Sequence, residues 1–89
     1  MSRWERVVVE IMKDHWQPEM RLWAALLWET AGDLALAPSS ERFVDALGWV
    51  LCVEPFTKQS FDWVCTEVGL DPDWIRKDLL ERVAGKVAA

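Results

Sequence analysis

Prolines at positions 18, 38, 55 and 72 divide these 89 residues into segments that suit short helices and little else. Proline lacks the backbone N–H that a helix or a sheet interior needs, so it is tolerated in the first helical turn and stops a helix elsewhere. Pro18 and Pro72 read as first helical residues, and Pro38 lies in the clearest loop, Ala37-Pro38-Ser39-Ser40. Pro55 ends a helix, because Glu54 before it must leave helical geometry.

Between the prolines, apolar residues recur every three or four positions, which predicts a compact all-α bundle of about five short helices. The first helix starts at Ser2, with Glu5 completing a capping box, and turns Trp4, Val7, Val8, Ile11, Met12 and His15 to one side. Val7-Val8-Val9 has strand character, but an isolated strand has no partner for its edges. The second helix, from Pro18 to Gly32 or a turn beyond, faces inward with Leu22, Trp23, Leu26, Leu27 and Thr30. The third, from about Ser40 to Val53, buries Phe43, Val44, Leu47, Val50 and Leu51 and leaves Trp49 off the stripe. Ser60 caps the fourth, Phe61 to Val68, with Phe61, Val64, Cys65 and Val68 inward and Gly69 as a left-handed end. Asp71 caps the fifth, where Ile75, Leu79, Val83 and Val87 point inward and Gly85 predicts a fraying end.

The length is that of one domain, residues 1–89. A core for it is available, since 52% of the residues are hydrophobic and seven are Trp. Trp4, Trp23 and Trp63 fall on inner faces; Trp16, Trp28, Trp49 and Trp74 fall nearer polar ones. The N-terminus is charged with no apolar stretch behind it, and no apolar run reaches the ~20 residues of a membrane span. These features predict a cytoplasmic protein with no membrane partner. Cys52 and Cys65 lie in apolar helical stretches and read as reduced core thiols, a disulfide between neighbouring helices being the alternative.

Catalysis is not expected. His15 is the only histidine and suits a helix C-terminus. No nucleophile–base pair or metal cluster can be assembled from the remaining residues, so no metal, cofactor or small-molecule substrate is expected. Binding of a macromolecule remains.

Phe61 to Leu80 has the order of a helix-turn-helix, the unit extending over about 60–87: an apolar helix, a glycine turn, and a second helix packed steeply. Used on DNA, it would present Asp73, Trp74, Arg76, Lys77, Arg82 and Lys86, with Arg76 and Lys77 as the compact basic pair. The charge argues against this use. The net charge is −5, residues 61–89 carry four cations against six anions, and the start of the second helix holds Asp71 and Asp73.

Trp49, Pro55-Phe56, Ser60-Phe61-Asp62-Trp63-Val64-Cys65 and Gly69-Leu70-Asp71-Pro72-Asp73-Trp74-Ile75-Arg76 together resemble a motif of small proteins encoded by bacteriophages, prophages and other mobile elements. That motif runs Phe-x-x-(Val/Ile)-Cys, then Gly-(Leu/Ile)-Asp-Pro and an Arg, and its bearers are commonly taken as helix-turn-helix-like regulators. The resemblance covers roughly the C-terminal 40 residues. It implies a mobile-element origin and a DNA-binding transcriptional regulator. Asp78 stands where the motif usually adds further Arg.

The alternative is a small acidic protein that binds a host regulatory protein (an anti-activator, a polymerase-binding or an anti-CRISPR-like inhibitor) through Trp28, Glu29, Trp49, Asp73 and Trp74. A homodimer interface would expose the same residues, and a structural or assembly role is a third reading. A basic stripe over Arg76, Lys77, Arg82 and Lys86 would favour DNA, whereas a continuous acidic face would favour a protein.

Overall fold

The computed structural model describes residues 2–52 and 59–88. Five helices follow in order: α1 (Arg3–Asp14), α2 (Pro18–Asp33), α3 (Glu41–Leu51), α4 (Phe61–Glu67) and α5 (Pro72–Ala88). Among the described residues there is no strand, and Val7-Val8-Val9 lies within α1. The bundle is all-α, as the proline and apolar spacing predicts.

The helix ends follow the capping residues. The capping box at Ser2 forms, with the backbone N–H of Ser2 donating to Glu5 Oε1 at 3.0 Å and its hydroxyl at 2.9 Å. The Ser60 hydroxyl accepts from the Trp63 N–H at 3.2 Å, and Asp71 Oδ1 accepts from the Asp73 N–H at 2.9 Å. Gly69 has φ +80°, the left-handed region that only glycine enters freely. This lets the Leu70 N–H return to the Cys65 carbonyl at 2.9 Å, which closes the end of α4. Gly85 does not end α5, which runs on to Ala88.

α1 and α2 form a helical hairpin. α4 leans on α2 with Trp63 edge-on to Trp23 (centroids 5.1 Å apart), and α3 reaches α2 through Arg42–Asp33 at 2.8 Å. α5 closes the bundle over α1. The core holds Trp4 and Val8 of α1, Ala24 and Leu27 of α2, and Phe43, Ala46 and Val50 of α3. Phe61, Val64 and Cys65 of α4 and Ile75 and Leu79 of α5 complete it. Cys65 of α4 is fully buried, and its carbonyl accepts from the Leu70 N–H in the turn that leads to α5.

Several inner faces differ from the sequence reading. On α2, Leu22 is 60% exposed and Ala24 is buried in its place; on α3, Val44 and Leu51 are exposed while Ala46 is buried. In both helices a small alanine is buried while larger apolar residues of the same helix stay in water. Trp49 is partly buried rather than off the stripe, packed edge-on to Phe61 at 5.3 Å with its indole N–H on the Gln59 carbonyl at 3.2 Å. Val87 is exposed, so α5 contributes only Ile75, Leu79 and the partly buried Val83. Cys52 follows the end of α3 and is exposed, so it is not a core thiol; both cysteines are free. Glu54, Pro55 and the polar segment 57–58 lie outside the described residues, as does the expected continuation of α3 to Val53.

Candidate functional site: the outer face of α5

α4, the Gly69 turn and α5 form a helix–turn–helix sequence of elements, and the second helix carries the cations expected to contact DNA. Packing commits three of the four to the protein itself. Arg76, with a side chain only 14% exposed, donates from Nε to the Val50 carbonyl at 2.8 Å. Its other nitrogens pair with Asp62 and Asp73, and the guanidinium lies 5.0 Å from the Phe61 ring centroid. Arg76 thus ties α5 to α3 and α4. The exposed position expected for it is not found.

Arg82 binds Glu5 and Asp78 and lies over the Trp4 ring, whose indole N–H donates to Asp78 Oδ2 at 2.7 Å. Burial opposes the charged form of Glu5, but hydrogen bonds from Arg82 and from the Ser2 N–H and hydroxyl outweigh it and hold the carboxyl down to about 2. The same hydrogen bond to Glu5 raises the pKa of Arg82. Lys86 donates to the carbonyls of Leu34 and Leu36 at the end of α2 and lies 5.5 Å from the Phe43 ring centroid. Lys77 is exposed and enters no ion pair among the described residues. No basic stripe forms.

The approach to α5 is acidic. Glu67, Asp71 and Asp73 are all exposed around the turn that a DNA-binding helix would drive towards phosphates. Trp74, 44% exposed, stands in the first turns of α5 and lines a shallow depression of about 170 Å³ with Lys77, Asp78 and Glu81. A wider open groove of about 440 Å³ runs beside it along Asp73, Lys77, Leu80 and Ala84.

Among the residues named for protein contact, Trp28 is 38% exposed and borders a depression of about 270 Å³ with Ala31, Gly32 and Ala35, closed by Glu5 and Arg82. Since Asp78 and Arg82 follow Trp74 at successive turns of α5, the Trp28 and Trp74 depressions lie along one side of the molecule. Glu29 is exposed but turns to Arg42, 4.0 Å away, and Trp49 packs inward; neither joins Trp28 and Trp74.

The most exposed tryptophan is Trp16, at 81%, in the α1–α2 turn, stacked on His15 with ring centroids 6.0 Å apart. His15 caps α1, and its Nδ1 accepts from the Gln17 N–H at 3.0 Å. Besides Lys77 and Lys86 of α5, the cations without an ion pair among the described residues are Arg3, Arg6, Lys13 and Arg21 on α1 and α2. Sequence reading passed over them because Glu5, Glu10, Asp14 and Glu19 are interleaved among them.

Burial raises the Cys65 thiol to about 12, with the Asp62 carboxylate adding to the effect. Among the described residues, no three His, Cys, Asp or Glu side chains are grouped to hold a metal, and no helix is long and apolar enough to cross a membrane. Comparison of the chain with protein-family models, with curated proteins and with solved structures gave no match.

Proposed function

We propose that this chain is a small acidic regulator that acts by binding protein, not DNA, and carries out no chemistry of its own. The observation that carries the reading is the internal use of Arg76, Arg82 and Lys86. Phosphate contacts supply most of the affinity of a nucleic-acid binder, and a cation already paired inside the fold must break that pair to make one. On α5 that leaves Lys77, which beside Asp73 and Glu81 is a weak anchor for a duplex.

Exposed Trp28 and Trp74, each over a small depression, have the character of residues that dominate protein interfaces. The partner that fits the Trp28 depression presents an apolar side chain to Ala31, Gly32 and Ala35 within a basic surround, since a net charge of −5 steers basic surfaces towards it. A nucleic-acid-binding groove on a host regulatory protein has that character, and the suggested mobile-element origin suits such a target. The helix–glycine–helix geometry is the one observation that favours the DNA reading.

The test compares capture by wild type, Trp28→Ala and Glu29→Gln in host extract. The reading expects one protein, lost from Trp28→Ala and weakened by salt. Equal capture by wild type and Trp28→Ala would overturn this surface.

A further inference from the structure

We infer that α5 pairs with α5 of a second copy, antiparallel, through the strip Trp74, Lys77, Glu81 and Ala84. The inference rests on the protein-binding reading and names what occupies the Trp74 face. The Trp28 depression is left for the other partner.

These four residues are spaced three, four and three apart, the spacing at which one helix presents a continuous seam to another. Two copies related by a two-fold axis make reciprocal contacts: if residue i meets residue j, then j meets i. An axis passing beside position 79 sets Lys77 against Glu81 of the second copy and Trp74 against Ala84 of the second copy, each twice. The contacts are opposite in charge in the first case and large against small in the second. The parallel arrangement would set Lys77 against Lys77, Glu81 against Glu81 and Trp74 against Trp74.

The surroundings agree with this register. Lys77 and Glu81, one turn apart, enter no ion pair among the described residues. Hollows flank their line on both sides, one lined by Trp74 and Asp78 and the other by Leu80 and Ala84, as holes for a facing helix's side chains. Trp74 leaves water only if something covers it, and the small side chain of Ala84 gives its ring room. One helix pair buries an area near the low end of stable interfaces, about 1,200 Å² in total, so the dimer should dissociate on dilution.

The experiment is sedimentation equilibrium of the purified chain over a range of concentrations. Wild type should move from 10.3 kDa towards twice that mass as concentration rises. Lys77→Glu and Glu81→Lys should each stay monomeric, because each sets like charges opposite, and both should keep the wild-type helical circular dichroism. Mixed one to one, the two variants should recover the dimer, since the mixture restores both opposite-charge contacts. A wild type that stays at 10.3 kDa throughout, or single variants that dimerise as well as wild type, would overturn the inference. Either result leaves the protein-binding reading standing, since that is decided by capture through Trp28 and by DNA retention, not by mass.

Discussion

Arg76 donates its Nε–H to the backbone carbonyl of Val50 at 2.8 Å, and so the residue best placed by sequence to meet a phosphate is part of the packing between α5 and α3. The same guanidinium pairs with Asp62 of α4. Replacing it removes contacts to two other helices and leaves a carbonyl and a carboxylate without this partner. Arg76→Ala should destabilise the fold by about 1.5–3 kcal/mol, the usual scale for hydrogen bonds to a charged group. Arg76→Lys should recover little of this, because an ammonium lacks the planar fork that reaches both partners. Urea denaturation measures both; an Arg76→Ala midpoint equal to wild type would show that the side chain is free in solution.

The cluster joining α1 to α5 should be sensitive to acid. Glu5 has a folded pKa of about 2 against an ordinary value of 4.5. The folded state therefore binds its proton less readily than the unfolded chain. The associated stability is complete above about pH 5 and is lost as the pH falls towards 2. Glu5→Gln should start less stable at neutral pH and lose less between pH 5 and pH 2. Urea midpoints across that range decide it. Parallel wild-type and variant curves would mean that Arg82 does not hold Glu5 charged.

The two thiols should behave differently. Cys52 is exposed, whereas Cys65 is buried with its thiol pushed up to about 12. A maleimide should label one thiol per folded chain and two after denaturation. Rapid labelling of both in the folded state would show that α4 and α5 do not close over Cys65.

Cys65→Phe should destabilise by about 1–3 kcal/mol, because a fully buried small side chain leaves no room for a ring without overpacking. Thermal unfolding measures it. An unchanged midpoint would mean that the two helices do not cross at this residue.

The sequence showed the helix boundaries well because they depend on local chemistry. Ser2, Ser60, Gly69, Asp71, Pro18 and Pro72 each act on the backbone beside them, and each does so in the structure. Inner faces were less legible. Ranking side chains by size and hydrophobicity puts Leu22, Val44 and Leu51 inside, but the structure buries the small Ala24 and Ala46 and leaves those three exposed. The candidate site was least legible. A lysine or arginine on a helix reads as solvated, and only tertiary packing shows that the charged groups of Arg76, Arg82 and Lys86 lie over the rings of Phe61, Trp4 and Phe43. Helical phase places Trp28 and Trp74 on exposed faces, as the structure does, but fails for Trp49, which packs against Phe61.

The central claim is that three of the four cations of α5, Arg76, Arg82 and Lys86, serve the fold, which leaves this helix without a basic face for DNA. A gel shift of the wild-type chain on mixed-sequence duplex DNA at ~50 mM salt tests it most directly, because non-specific binding of a phosphate-contacting protein is strong there. The account predicts no retarded band at any protein concentration at which the chain stays soluble. A band that weakens steeply with added salt and is lost in Lys77→Ala would contradict it and return α5 to the DNA reading.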